Sequence, residues 1–132
     1  MIYLLDTNTL SDLSSNPQGR VKQNIERCGM ENVVTSVIVA GEVEFGLEWK
    51  QSKKLRGNMD AILRSIRVMP LEEAVWRRYG WLRADLKKKG TPIGPNDLWI
   101  ASHALTLDAV MVTANVREFS RVPGLKVENW LR

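Results

Sequence analysis

A short apolar run that stops at a polar cap and gives way to a helical pattern recurs along this chain, and that step restricts its fold more than any other feature. Tyr3-Leu4-Leu5 reads as a buried strand, and Asp6-Thr7-Asn8-Thr9 ends it and caps a helix through Leu13. The β-branched run Asn32-Val33-Val34-Thr35 repeats the step, with Ser36 capping a helix to about Lys50. Ile66 to Met69 is a third short strand, closed by Pro70 and followed by a long amphipathic pattern from Leu71 to Lys89. Parallel neighbours need crossover helices, so the alternation predicts a three-layer α/β/α fold with a central, mostly parallel sheet.

Further elements fit the same scheme. Pro17 to Arg27 predicts a helix that Cys28-Gly29 ends, and Lys53 to Ser65 predicts another. The loop Gly90-Thr91-Pro92-Ile93-Gly94-Pro95 leads to Asn96, read as the cap of a helix through Leu107. Ala109 to Thr113 reads as a buried strand and Leu125 to Val127 as an edge strand. At 132 residues and 44% hydrophobic content, the expectation is one domain over residues 1–132. In such sheets ligands bind beyond the carboxyl ends of the strands, where the winding reverses, and Asp6 lies at such an end.

Composition excludes several chemistries. No apolar stretch approaches the roughly 20 residues of a membrane-spanning helix, and Asp6 interrupts the apolar start too early for a secretion signal, so a cytoplasmic protein is expected. Cys28 is the only cysteine, which rules out an internal disulfide and multi-cysteine zinc sites. His103 is the only histidine, so any triad or two-histidine scheme would have to pass through it. The net charge of +4 suits a polyanionic partner without requiring one.

Three acids stand where apolar residues are expected. Glu42 shares a helix face with Ile38, Val39, Phe45, Gly46 and Trp49, whereas Glu44 and Glu48 fall on the opposite face. Asp97 shares its side of the next long helix with Ile100, Ala101 and Ala104. Taken singly, each has an ordinary explanation: a turn or cap for Asp6, a buried salt bridge for Glu42, a first-turn acid favoured by the helix dipole for Asp97. A shared cause covers all three. Converging desolvated carboxylates repel one another, a divalent cation relieves the repulsion, and magnesium suits an all-oxygen site of carboxylates and water. Such sites hydrolyse phosphate esters without histidine.

The stretches Leu4-Leu5-Asp6-Thr7-Asn8, Ser36-Val37-Ile38 with Gly41 to Gly46, Gly90 to Asp97 with Ile100-Ala101, and Val112 to Asn115 with Arg117-Glu118-Phe119 together resemble the PIN-domain family. Within it they are most similar to the VapC-type toxins of bacterial toxin–antitoxin pairs. The resemblance implies that Asp6, Glu42 and Asp97 are the core metal-binding acids. It puts Asn115 in the fourth, often acidic, place, leaving a three-carboxylate site. Thr7, Asn8, Thr113 and Arg117 are implied as contacts to substrate or water, with Arg121 as another basic candidate.

What the resemblance implies about function is a magnesium-dependent endoribonuclease, with manganese as a substitute metal, leaving 5′-phosphate and 3′-hydroxyl ends. The Gly90 to Asp97 loop suggests a tRNA anticodon-loop substrate and arrest of translation. Implied partners are RNA, a second copy of the chain, a neutralising antitoxin, and operator DNA only through that antitoxin. Phe45, Leu47, Trp49, Leu55, Met59 and Leu63 are candidate lining for an antitoxin groove, or ordinary core. Two rivals remain at this point. A phosphatase using Asp6 as nucleophile would need an aspartate where Asn8 stands, and a catalytically inert PIN scaffold would act only with its antitoxin on operator DNA.

Overall fold

The strand-to-helix steps after β1 (Ile2–Leu5) and β2 (Val33–Ser36) leave Asp6 and Ser36 at the carboxyl edge of a sheet, and five strands align in parallel in the computed structural model, which describes residues 1–132. In chain order the elements are β1 (Ile2–Leu5), α1 (Thr7–Ser15), α2 (Arg20–Cys28), β2 (Val33–Ser36), α3 (Val37–Lys50), α4 (Lys53–Ser65) and β3 (Arg67–Met69). There follow α5 (Glu73–Lys88), α6 (Pro95–Thr106), β4 (Ala109–Val112), α7 (Val116–Phe119) and β5 (Val127–Glu128). The sheet order is β3-β2-β1-β4-β5 and every pairing is parallel, so the expected mostly parallel sheet is wholly parallel.

The chain winds outward from β1 through β2 to β3, then crosses back over β1 to β4. That reversal opens a crevice at the carboxyl ends of β1 and β4, the place where such sheets bind ligands. Leu5 pairs with Val112 there, and the Asp6 N–H donates to the Val112 carbonyl at 3.1 Å.

Both faces of the sheet are covered. Helix α1 packs on α2 and α4, α5 packs on α6, and α3 touches both α1 and α6, which lets one helix face two others. The three inner strands accordingly read as apolar runs rather than alternations. Leu4, Leu5, Val33, Val34, Met111 and Val112 are at most 1% exposed. The edge strands β3 and β5 are short, and neither contains a buried residue.

Local details differ from expectation for identifiable reasons. Helix α2 begins at Arg20 because residues from Asn16 turn back, with Gly19 N–H donating to the Asn16 carbonyl at 2.8 Å. Helix α6 begins two residues earlier than expected, with Gly94 as cap and Pro95 in the first position, which suits a residue without an N–H. The last strand pairs at Val127–Glu128, and α7 is an extra helical turn. On α3 the buried stripe is Val39, Val43 and Leu47. Phe45 and Trp49 are 70% and 78% exposed and stack on each other, so Glu42 lies at the margin of the apolar face rather than within it. Of the groove candidates, Leu47 and Met59 belong to the core, and Leu55 and Leu63 are partly buried against it.

Candidate active site

Asp6 terminates β1 and caps α1: its Oδ1 accepts from the Thr9 N–H at 2.9 Å, and the residue is buried. Short polar side chains favour this position because they satisfy an otherwise unpaired helix N–H. Only Oδ1 is used in the cap, so the carboxylate is fixed in place with its second oxygen available. The next residue, Thr7, donates from Oγ1 to Glu42 Oε1 at 2.7 Å, binding the first turn of α1 to the second turn of α3. Asn96 Nδ2 donates to the other Glu42 oxygen at 3.3 Å. That contact depends on Gly94, not Asn96, capping α6, which frees the asparagine amide.

Asp97, in the first turn of α6, meets a carboxylate that sequence reasoning placed only nearby. Glu118 accepts from the Gly94 N–H at 2.9 Å through Oε1 and from Asn115 Nδ2 at 2.9 Å through Oε2, and it lies close enough to Asp97 for the two carboxyls to influence each other. Glu118 thus stands at this corner beside Asn115, whose amide donates to it. The physical reason is the helical turn α7, which folds a residue three positions on back over Asn115. An asparagine followed three residues later by glutamate is a helix-start spacing, so the sequence did contain the signal.

The electrostatics are those of acids gathered without a counter-charge. Burial, then Glu118, then Glu42 and Asp6 push the Asp97 carboxyl up to about 7. Burial pushes Glu118 up as well, but the hydrogen bonds from Gly94 and Asn115, with Asp97 and Arg121 nearby, more than offset it and hold Glu118 below its ordinary value. No ion pair of the chain includes Asp6, Glu42, Asp97 or Glu118. This removes the buried-salt-bridge explanation of Glu42.

A divalent cation fits this donor set by chemistry: the donors are all oxygen, and their mutual repulsion lacks a protein cation to relieve it. As the side chains lie, no three acids are grouped tightly enough to grip one ion between them. Magnesium keeps several waters and takes only one or two carboxylates directly, so a hydrated ion matches that looser spacing.

The remaining candidates separate by exposure. Asn8 and Arg117 are exposed and make no side-chain hydrogen bond or ion pair. Thr113 is fully buried, its Oγ1 accepting from the Asn115 N–H at 3.0 Å, so it shapes the turn after β4 and is out of a substrate's reach. Thr7 touches Glu42 and serves to orient it. Arg121 Nη1 donates to the Pro92 carbonyl at 2.8 Å and fastens the loop that carries Gly94. His103 is buried at 2.8 Å from Ser36 Oγ, and burial lowers its pKa despite a hydrogen bond to the Pro70 backbone. It is a neutral core residue.

Comparison with known proteins shows the family of the chain. The PIN domain family profile matches residues 3–125. Ribonuclease VapC2 of Rickettsia felis is 36% identical, over 98% of both chains. The tRNA(fMet)-specific endonuclease VapC of Salmonella typhimurium is 30% identical, over 97% of both. Among solved structures, VapBC2 from Rickettsia felis bound to a promoter DNA fragment superposes with a TM-score of 0.88 at 35% identity, covering 98% of this chain and 99% of that one.

Proposed function

The chain belongs to the PIN-domain family, in its VapC group, and from that premise we propose that it is a divalent-metal-dependent endoribonuclease toxin. The observation that carries this reading is the meeting of Asp6, Glu42, Asp97 and Glu118 at the β1/β4 crevice with no lysine or arginine paired to them. Asp6, Glu42 and Asp97 would hold Mg²⁺, or Mn²⁺ in its place, with Glu118 completing the acid set. A bound ion of this kind supplies neutralisation of the phosphodiester, activation of water and stabilisation of the leaving oxygen.

The protein's own groups do the positioning. Thr7 and Asn96 orient the two oxygens of Glu42, and Gly94 and Asn115 orient those of Glu118. All four are neutral donors, so each carboxylate keeps its charge and an unused lone pair on each oxygen. Glu42 and Glu118 are thereby placed to accept the proton of an attacking water. Asp97, its carboxyl raised to about 7 by burial and the neighbouring acids, would release its proton on holding a cation. The products are a 5′-phosphate and a 3′-hydroxyl.

The relatives supply the rest of the reading. All 132 residues form one ribonuclease domain that cuts RNA in the cytoplasm, with a tRNA anticodon loop as substrate, by analogy with the tRNA(fMet)-specific enzyme. A cognate antitoxin neutralises it, two copies associate, and operator DNA is contacted through the antitoxin, as VapBC complexes suggest. No helix is long and apolar enough to cross a membrane.

Incubating the purified chain with tRNA in Mg²⁺ and sequencing the ends tests the proposal. Cleavage that disappears in EDTA and in Asp6→Asn and Asp97→Asn supports it. Cyclic phosphate ends, or undiminished cleavage in EDTA, would refute it, and a wild-type chain that cuts no RNA would leave a binding scaffold.

A further inference from the structure

The loop that presents Gly94 and Asp97 to the acids also walls a second concavity, of about 390 Å³, against α5. Its base is apolar, formed by the buried Leu86 and Leu98, and Pro92, Ile93 and Pro95 line the loop side. Two exposed cations one helical turn apart on α5, Arg83 and Lys87, complete the lining. On the same helix Arg77 is paired with Glu73, and just past its end Lys89 is paired with Asp85, while Arg78 and Lys88 are unpaired but do not line the concavity. Arg83 and Lys87 have no carboxylate partner.

The arginine is held ready. Its Nη1 donates to the Tyr79 hydroxyl at 2.9 Å, and Tyr79 stacks on Trp99 with ring centroids 3.7 Å apart and planes within 6°. A guanidinium fixed in this way loses little further freedom when it takes up an anion. The position matters as well. Pro95 and Leu98 belong to α6, the helix that carries Asp97 on another face, so whatever occupies the concavity lies about one helix width from the acids.

We propose that this concavity is a nucleotide subsite. One unstacked base of single-stranded RNA lies against Ile93 and its neighbouring prolines, and an adjoining phosphate rests on Arg83 and Lys87. The inference rests on the ribonuclease reading and deepens it. An apolar recess beside unpaired cations matches the two faces of a nucleotide, a flat base and a charged phosphate. It also gives the enzyme a means of choosing which phosphodiester reaches the acids.

The test uses the full chain and a fluorescein-labelled RNA hairpin that the wild type cleaves in its loop, together with versions abasic at single loop positions. Binding is measured in the Asp97→Asn background, where the RNA stays intact. Arg83→Ala and Lys87→Ala should each raise KM about tenfold with kcat nearly unchanged, and lower the salt slope of binding by about 0.7. One abasic position beside the cut should weaken binding about tenfold, and Ile93→Ser should abolish that penalty. Since Arg83 and Lys87 are exposed, their variants keep the fold, and a thermal melt checks Ile93→Ser. If the wild type cleaves but KM, salt slope and abasic scan ignore these residues, the subsite is wrong and the ribonuclease reading stands. If affinity for poly-glutamate falls equally and no abasic position is singled out, the surface is an undirected basic patch and the proposal is overturned. A wild type that cleaves no RNA in Mg²⁺ or Mn²⁺ overturns the ribonuclease reading itself.

Discussion

Helix α3 carries acids on two sides, and the two sides have opposite environments. Glu44 and Glu48 both reach Arg56 of α4 at 3.0 Å, and the guanidinium, ahead of other influences, holds Glu44 below its ordinary pKa. Glu42, two residues from Glu44, meets only the neutral donors Thr7 and Asn96 and faces further acids. One side is a closed network in which protein supplies its own cation. The other is an acid cluster whose members form no ion pair with a protein cation. The contrast shows that acids on a helix carry functional information through what their partners lack.

The largest expected effect comes from breaking the uncompensated side. Asp97→Asn should lower RNA cleavage by about two to three orders of magnitude, measured as kcat on a cleavable hairpin. The same variant should melt at a higher temperature than wild type at pH 8 without metal, because a repelling charge has been removed. A lower melting temperature under those conditions would mean that Asp97 is a stabilising cap and that its strain is illusory.

The next effect is on pH dependence. Asp97 has a folded pKa of about 7, above the unfolded value of about 3.9. Below the unfolded value both states hold the proton and the group is silent. As pH rises from there towards 7 the folded chain keeps a proton that the unfolded chain has lost, so this group makes stability fall across that window and level off above it. Thermal melts from pH 4 to 8.5 without metal should show the decline. Saturating Mg²⁺ should flatten it, and calorimetry in two buffers near pH 6 should detect proton release on binding.

Smaller again is the loss of a positioning group. Thr7→Val removes the donor to Glu42 Oε1 and should weaken Mg²⁺ affinity or activity about tenfold, with Thr7→Ser restoring most of it. The smallest effect belongs to the compensated side. Arg56→Ala opens an exposed ion-pair network and should barely move the melting temperature in physiological salt, leaving cleavage intact.

The legibility of this site varied residue by residue. Asp6 was readable because a strand end and a helix cap are local events, completed within three residues by the contact to Thr9. Glu42 was identified through a helix face that proved partly mistaken. Periodicity alone cannot tell a stripe facing the core from aromatic residues left in solvent, and Phe45 and Trp49 are the latter. Thr113 was expected at the end of a buried strand, and parallel pairing on both sides of β4 does enclose it. The contact between Asn115 and Glu118 was harder to read, because a one-turn helix has no periodicity to reveal it.

By itself, the sequence determined the alternation of strands and helices, hence the parallel sheet, and the place of Asp6 at a strand's carboxyl end. These follow from propensities and caps acting over a few residues. Only the tertiary structure decided what meets what. Glu42 contacts Thr7 and Asn96 across 35 and 54 residues, and Glu118 contacts Gly94 across 24. Such meetings are set by the order in which β1, β2 and β4 lie side by side, which no local window contains. The acid pocket is therefore written in the residues but assembled by the crossing from β3 back to β4.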